Sequence, residues 1–295
     1  MKAAPFDYVR PRSVEEACAC LAADADAAII AGGQTLVPMM AMRLARPSRL
    51  IDIARIFELH GIRHDGAAVA VGAATRQATA LNDDTIARKV PLLALALPWV
   101  GHAATRNRGT VGGSVANADP AAEIPLVLAT LGGHIALRDR FASRAVAARD
   151  FFTGPMMTAM PQGACVTAIH FPVWRAGRVG AGFQEISARR SDFALAAAAA
   201  QVALDETGRC TACVVGTGGA AATPIRLDAA GDALVGSRLS ERDIGEAMRA
   251  AVESIEIMSS PHASDDYRRR AAATLGARAL AQARDAALGR PGMVQ

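Results

Sequence analysis

The chain has 295 residues, of which 52% are hydrophobic and only 4% are aromatic, and its formal net charge is +4. This length allows one large domain or two ordinary ones, and the hydrophobic fraction is sufficient for a sizeable core. The arginines are scattered, whereas nucleic-acid binding needs clustered cations and base-stacking aromatic residues, so the composition argues against that class. No apolar run is long enough to cross a membrane, and residues 1–12 lack the apolar segment of a secretion signal, so we expect a cytoplasmic protein.

The N-terminal part of the chain alternates between predicted helix and predicted strand. Ser13 can cap a helix over residues 13–23, because Glu16 lies three residues further on and completes a capping box. Short apolar runs then predict strands, at residues 28–31, 50–53 and 69–71. The first of these strands runs into a Gly-Gly pair, and the order helix, strand, glycine loop, strand is an α/β pattern.

The middle of the chain is predicted to be mainly helical. Residues 76–99 favour helix with interruptions at Pro91 and Pro98, and a glycine-rich loop is predicted at residues 109–114. A further helix is predicted over residues 119–131, where a proline occupies the first turn.

A change in composition after residue 171 predicts a domain boundary. Residues 166–171 favour a strand that ends at Pro172, and the following stretch to residue 182 is rich in glycine and polar residues. We therefore predict two domains, over residues 1–175 and 180–290.

The alanine-rich run at residues 193–204 can be read in two ways. Its alanines have a high helix propensity. Its length, its position between two strand-like segments and the turn that follows it favour a hairpin strand instead. We predict strands over residues 183–188, 193–204 and 210–216, and helices over residues 240–257 and 265–288.

Most of the familiar catalytic and metal-binding motifs are missing from this sequence. There is no Gly-x-Ser-x-Gly elbow, no His-Glu-x-x-His and no phosphate-binding P-loop. Cys210 and Cys213 form a Cys-x-x-Cys, but no second pair and no histidine pair completes a metal site, so we interpret both as strand residues. The sequence therefore predicts a protein that holds a cofactor, with the cofactor supplying the reactivity.

Two stretches, residues 29–36 and 106–120, point to the kind of cofactor. Each carries a Gly-Gly pair with a hydroxyl residue just after it, Thr35 in the first and Ser114 in the second. Glycine lets the backbone approach a ligand closely and adopt positive φ, and successive N–H groups in such a turn form an anion-binding nest. We therefore predict that two nests grip one diphosphate from two sides.

These two stretches, in this order, resemble the FAD-binding medium subunit of the molybdenum hydroxylases. That family includes carbon monoxide dehydrogenase, xanthine dehydrogenase and the bacterial N-heterocycle dehydrogenases. The resemblance covers nearly the whole chain and continues through residues 182–185, 188–194, 216–226 and 266–270. Each Gly-Gly pair alone is weak evidence, whereas both pairs followed by the Arg-Arg-x-Asp at residues 189–192 are strong evidence.

The resemblance implies an α+β fold with two parts. The first is a two-lobed FAD-binding domain of the vanillyl-alcohol-oxidase type, with lobes over about residues 1–55 and 56–175. The second is a small C-terminal α+β domain with a three-stranded antiparallel sheet.

The resemblance also implies which residues hold FAD, without a covalent bond to it. The first loop would wrap the diphosphate, with Ile30, Ala31, Gly32, Gly33, Gln34, Thr35 and Leu36. Residues of the other lobe would cover the diphosphate, namely Thr110, Gly112, Gly113, Ser114 and Ala116. Glu123 or Asp119 would lie near the adenosine, and Val166 would lie beside the adenine. No catalytic residue and no metal ligand is expected in this chain.

The function that the resemblance implies is electron transfer. A large subunit with molybdopterin would oxidise the substrate, a small subunit with two [2Fe-2S] clusters would relay the electrons, and FAD in this chain would pass them to an external acceptor. The complex would be a dimer of heterotrimers. Two alternatives stay open from the sequence, a self-contained flavin oxidase or reductase of the same fold and a flavin-free scaffold. The substrate and the acceptor also stay open.

Overall fold

The computed structural model describes residues 2–175 and 177–290 of the chain. The first elements in chain order are β1 (Asp7–Val9), α1 (Val14–Ala23), β2 (Ala28–Ile30), α2 (Leu36–Ala41) and β3 (Arg49–Asp52). The strands form a parallel sheet in the order β1-β3-β2, and α1 and α2 supply the crossovers that parallel strands need. Ser13 Oγ accepts a hydrogen bond from Glu16 N at 3.1 Å, which confirms the predicted N-cap. The Glu16 carboxylate accepts from Arg12 N at 2.7 Å, one residue before the capping-box position.

An antiparallel sheet and a group of short helices follow. In chain order the elements are β4 (Ile62–His64), β5 (Ala68–Gly72), α3 (Gln77–Leu81), α4 (Asp84–Lys89), α5 (Pro91–Ala96), α6 (Ala103–Arg108), α7 (Val111–Asn117), α8 (Glu123–Leu131), β6 (His134–Arg138), β7 (Ser143–Ala147), α9 (Ala148–Phe151), β8 (Phe152–Gly154), β9 (Met157–Thr158) and β10 (Cys165–Pro172). The sheet has the strand order β4-β5-β10-β6-β7, so helices α3 to α8 all lie in the connection between β5 and β6.

The interruption predicted at Pro91 is confirmed: α4 ends at Lys89, and Pro91 is the first residue of α5, where its missing N–H is not needed. One helix prediction in this region needs correction. The helix predicted from residue 119 begins only at Glu123. Asp119 Oδ1 accepts a hydrogen bond from Ala121 N at 2.9 Å, and such a local side-chain bond stabilises a turn in place of helix.

The C-terminal part contains a second antiparallel sheet and three helices. Its elements are β11 (Arg178–Ser187), β12 (Ala194–Leu204), β13 (Cys210–Gly218), β14 (Ile225–Arg226), α10 (Asp228–Leu234), α11 (Glu241–Glu253) and α12 (Asp265–Ala287). The strand order is β11-β12-β13-β14. The expected sheet of three strands therefore gains a fourth, because the chain turns back after β13 and β14 pairs with its end. The alanine-rich run is a strand, as predicted.

The predicted boundary at residues 172–182 is shorter in the structure. Pro172 is the last residue of β10, and Arg178 is the first residue of β11. The connector between the two parts is thus described by residues 173–175 and 177, since Gly180 and Gly182 belong to β11 and not to a loop.

Strand β12 is buried on both faces. Ala197 and Ala199 belong to the core shared with the N-terminal part, whereas Ala196, Ala198 and Ala200 pack in the core formed with α11 and α12. Helix α12 also lies very close to the sheet, since a Cβ added at Gly182 would lie 2.0 Å from Ala279 O. Small side chains permit this close packing, so tertiary context overrides the helix propensity of alanine. Among the helices described, none is both long and apolar enough to cross a membrane.

Candidate functional site

A cavity of about 630 Å³ lies where the end of β2, the start of α7 and α8 and the β11–β12 loop meet. Its volume is typical of a site for an organic ligand. Every residue predicted for the site lines this one cavity, namely Ile30, Ala31, Gly32, Gly33, Gln34, Thr35, Leu36, Thr110, Gly112, Gly113, Ser114, Ala116, Asp119, Glu123 and Val166. The structure therefore brings together residues from both stretches and Val166 from strand β10.

The first Gly-Gly loop has the properties of an anion-binding nest. It connects β2 to α2, and Gly33 has a φ of +70°. The backbone N–H groups of residues 32–35 have no hydrogen-bond acceptor among the residues that the structure describes. A run of free N–H groups around a residue with positive φ is an arrangement that binds anions. Free donors thus lie where the sequence predicts the first nest, and their binding of a diphosphate stays a prediction.

The second Gly-Gly pair is not a nest but the first turn of helix α7. Thr110 is the N-cap, and its Oγ1 accepts a hydrogen bond from Gly113 N at 3.0 Å. Gly112 N donates to Ala73 O at 3.0 Å, and Ser114 N donates to Thr110 O at 3.1 Å. The prediction of two nests is wrong on this side of the cavity, because these N–H groups already have acceptors within the protein.

Two glycines let parts of the site pack backbone to backbone. A Cβ added at Gly32 would lie 2.5 Å from Arg108 O, so the first loop rests against the end of α6. A Cβ added at Gly112 would lie 2.6 Å from the Ala73 Cα, so α7 rests against the end of β5. Because Gly32 and Gly112 have no side chain, these backbone segments can approach closely and form a continuous cavity wall.

Two carboxyl groups near this cavity are protonated more readily than usual. Burial raises the pKa of Glu123 from 4.5 to about 7, and the charge of Asp119 adds to the shift. Part of Glu123 still faces the cavity. Burial likewise raises the pKa of Glu185, on β11, to about 8, with repulsion from Glu123 as the second cause. Near neutral pH these carboxyl groups can therefore either donate or accept a hydrogen bond.

The charge of the cavity wall is notable. Neither lysine nor arginine occurs among the described residues that line the cavity. An anionic ligand would therefore be held by backbone N–H groups and hydroxyls rather than by cationic side chains.

Sequence reasoning missed several residues that line the cavity. Ser191, Asp192 and Phe193 reach it from the β11–β12 loop, and they lie within one of the stretches that carried the resemblance. Gln77 also lines the cavity, and its Oε1 has no partner among the described residues. No sequence signal points to Gln77, because only the packing of α3 against the Gly109 backbone brings it there.

Comparison with known proteins places this arrangement in a family. Residues 4–174 match the FAD binding domain in molybdopterin dehydrogenase, and residues 181–283 match the CO dehydrogenase flavoprotein C-terminal domain. The chain belongs to the FAD-binding medium subunits of the molybdenum hydroxylases. The subunit is thus a flavoprotein component of an oxidoreductase, and the predicted family and cofactor are confirmed.

Several relatives match this medium subunit over almost their whole length. It is 38% identical to the 6-hydroxypseudooxynicotine dehydrogenase complex subunit alpha of Paenarthrobacter nicotinovorans, over 96% of each chain. It is 34% identical to the carbon monoxide dehydrogenase medium chain of Afipia carboxidovorans, over 95% of this chain and 96% of the relative. The solved structure of quinoline 2-oxidoreductase from Pseudomonas putida 86 superposes with a TM-score of 0.93 at 36% identity, covering 98% of this chain and 100% of the other.

Replacement of Glu185 by glutamine should stabilise the subunit at pH 8 but not at pH 5. The folded chain holds the Glu185 proton more tightly than the unfolded chain, and Glu185 Oε2 has no hydrogen-bond partner among the described residues. The contribution of Glu185 to the free energy of unfolding is therefore most favourable below its ordinary pKa of 4.5. This contribution falls as the pH rises towards the folded pKa of about 8. Glutamine keeps the shape without the charge, so we expect a gain on the order of 2 kcal/mol at pH 8. Urea unfolding at both pH values measures it.

Glu253→Gln is the matched control for this measurement, because Glu253 is exposed at the end of α11. It should leave the free energy of unfolding unchanged at both pH values. Equal stability of Glu185→Gln and the wild type at pH 8 would show that the Glu185 carboxylate is solvated or paired after all.

Proposed function

We propose that this chain is the electron-transfer subunit of a molybdenum hydroxylase complex, with FAD held in the cavity described above. The observation that supports this is the row of free N–H groups at residues 32–35, in a wall without lysine or arginine. A diphosphate requires hydrogen-bond donors, and this loop supplies them where the sequence places the first Gly-Gly pair.

The residues of the cavity fit FAD in a consistent order. The first loop, residues 30–36, would bind the diphosphate, while Thr110, Gly112, Gly113, Ser114 and Ala116 would cover it from the other side. Asp119 Oδ1 is already engaged by Ala121 N, so Glu123 is the better candidate to accept a hydrogen bond from the adenosine hydroxyls. Val166 would lie against the adenine. This arrangement corresponds to a two-lobed domain of the vanillyl-alcohol-oxidase type, with the parallel sheet in one lobe and the antiparallel sheet in the other.

The chemistry at this site belongs to the cofactor and the partners. When bound, FAD would supply the redox chemistry, since a flavin can take up electrons from an iron–sulfur cluster and pass them to an external acceptor. We propose that a small subunit with [2Fe-2S] clusters and a large subunit with molybdopterin complete the complex, as a dimer of heterotrimers. The names of the relatives support this, because they describe a complex subunit and medium chains.

In this proposal, the chain itself positions the cofactor and encloses it, and it does not hold the clusters. Four of its five cysteines are buried, and no group of three metal-ligating side chains occurs in residues 2–175 and 177–290. A [2Fe-2S] cluster needs such a set of thiolates, which is why we place the clusters on a partner. The first loop orients the diphosphate, and the β11–β12 loop closes the cavity from the C-terminal part.

The experiment that tests the proposal follows the flavin absorbance under anaerobic conditions. Electrons are delivered either by the reduced small subunit or by an organic donor added to the isolated chain. Bleaching of the flavin band by the first and not by the second supports electron transfer.

We further propose that residues 1–175 and 180–290 are separate domains, so trypsin should cut the native chain first after Arg175. Arg175 is exposed in the connector at residues 173–177, whereas most other arginines lie in helices or paired strands. An exposed connector is the preferred site of limited proteolysis. Mass spectrometry of the early fragments identifies the bond that is cut.

Arg175→Gln removes the trypsin site without changing the connector length, and this variant should persist intact for longer. Cleavage confined to the two ends of the chain, with the connector intact, would count against the two-domain organisation.

A further inference from the structure

A second cavity, of about 480 Å³, lies between the N-terminal and C-terminal parts of the chain. None of the residues that line it belongs to the flavin cavity. Its polar and aromatic lining comes from four places in the chain, namely His64 at the end of β4, Arg88 and Lys89 at the end of α4, Trp174 and Arg175 in the connector, and Gln201 in β12. Nothing in the proposed electron transfer uses this cavity.

Gln201 is an anomaly in its strand. All other residues of β12, Ala194–Leu204, are alanine, leucine or valine. Gln201 shares the face of Ala197 and Ala199, which points to the N-terminal part, and its side chain is only 2% exposed. Its Oε1 has no hydrogen-bond partner among the described residues, although burying an unpaired amide oxygen costs free energy. The Gln201 amide lines the cavity and has no hydrogen-bond partner among the described residues, so it indicates a ligand with a polar group in the ring plane.

The opposite wall of the cavity is cationic. Arg88, Lys89 and Arg175 line it, and no acidic residue is among the described residues that do so. Arg88 is partly neutralised by Asp84 at 3.3 Å, with both side chains largely exposed. The Arg175 guanidinium donates from Nε to Gly66 O at 3.1 Å, which orients it without neutralising it.

Lys89 carries a charge that no described carboxylate balances within ion-pair distance. Lys89 and Lys2 are the only lysines of the sequence, since all its other basic side chains apart from the histidines are arginines. The cationic wall therefore calls for an anion, and guanidinium and ammonium groups together bind phosphate well.

We propose that this cavity binds a nucleoside monophosphate. The phosphate contacts Lys89, Arg88 and Arg175, the base lies against the indole of Trp174, and a ring acceptor of the base accepts a hydrogen bond from the accessible Nε2 of the Gln201 amide. The volume supports a ligand larger than inorganic phosphate, because organic ligands occupy cavities of about 300 to 1,000 Å³. An indole face and a buried amide are features that recognise a planar polar ring rather than a simple anion.

The test uses the full chain loaded with FAD, so that the flavin cavity is closed to nucleotides. Isothermal titration calorimetry with the 5′-monophosphates of adenosine, guanosine, cytidine and uridine should show saturable binding of at least one, with a Kd below about 1 mM. Inorganic phosphate should bind at least about tenfold more weakly, because it lacks the ring. Lys89→Gln and Gln201→Leu should each weaken the nucleotide about tenfold or more.

Lys2→Gln is the matched control, because it removes the same charge from the other lysine. Lys2 is exposed, and it lies far in sequence from the residues that line the cavity. It should leave nucleotide binding unchanged. Trp174→Ala should weaken the nucleotide and leave phosphate binding as it was. Retained flavin and an unchanged thermal transition show that each variant is folded. Because Lys89 is exposed, Lys89→Gln should leave the fold intact.

Three results would overturn the proposal. The first is the absence of saturable binding of any of the four nucleotides up to about 10 mM. The second is binding that Lys89→Gln leaves unchanged, which would place the nucleotide elsewhere. The third is phosphate binding as tight as nucleotide binding, which would remove the role of Trp174 and Gln201.

Discussion

Replacement of Gly33 by valine should remove FAD from the protein while leaving the fold intact. Gly33 has a φ of +70°, a conformation in which a β-branched side chain is strained. Its Cβ would also lie 3.2 Å from Val37 Cγ2 and 3.3 Å from Ile30 Cδ1, so these side chains must shift slightly, and the strained φ favours a different loop conformation. A moved loop no longer points its free N–H groups at one place, and those groups are the main donors in a cavity wall without lysine or arginine.

We expect the FAD affinity of Gly33→Val to fall at least about 100-fold, which corresponds to about 2.8 kcal/mol. The measurement is the ratio of flavin to protein absorbance after gel filtration. Gly236→Val is the matched control, because Gly236 has a φ of +84° but no atoms within 4 Å of an added Cβ. It carries the same backbone strain in the turn after α10 and should keep its flavin. Full flavin occupancy in Gly33→Val would show that the first loop does not hold the diphosphate.

Gly113→Val should also lose FAD, but through a different cause. Its added Cβ would lie 2.7 Å from Thr110 Oγ1, the atom that caps α7. The variant therefore disturbs the start of this helix rather than a residue with positive φ, and we expect some loss of thermal stability along with the flavin.

The flavin of the isolated chain should be reduced by its iron–sulfur partner and not by organic donors. The small subunit, reduced with dithionite and freed of excess reductant by gel filtration, should bleach the flavin band within the mixing time of a stopped-flow instrument or soon after. Carbon monoxide, nicotine, caffeine and quinoline, offered to the isolated chain, should leave the band unchanged. The physical reason is that, in the proposed complex, the molybdopterin of the large subunit would oxidise the substrate, and this chain would only position an electron carrier.

Dithionite added directly to the isolated chain is the positive control, because it shows that the flavin can be reduced. Rapid bleaching of the isolated chain by one of the organic donors would favour the self-contained flavin oxidase or reductase instead. A colourless chain that takes up no FAD from solution would favour the scaffold.

The first loop could be predicted from the sequence because its signals are local. An apolar run followed by Gly-Gly describes a strand that enters a turn with positive φ, and the structure shows β2, Gly33 and α2 in that order. The nature of the second stretch could not be predicted in this way. Helix α7 contains two glycines, two valines and an asparagine, all weak helix formers, and it forms because Thr110 caps it and Gly112 packs against Ala73.

The acidic pair near the cavity marks another limit of sequence reasoning. Glu123 was predicted at the site, but its interaction with Glu185, more than sixty positions later in the chain, depends on how the C-terminal sheet packs against α8 through β12 and β13. The same holds for strands β6 and β7, which have weak apolar alternation and were not predicted. In each case the decisive contacts are tertiary.

The alanines of β12 look like a low-complexity tract, yet their position makes them one of the most restricted segments of the chain. One face of the strand fills the core of the first part of the molecule, and the other face fills the core beneath α11 and α12. An added methyl group at Ala198 must be accommodated by α12, while one at Ala199 must be accommodated by the FAD-binding part, and neither can relax without moving the strand they share. Sequence drift in either part is therefore coupled to the other through this strand, and compensating substitutions for changes here should arise in both.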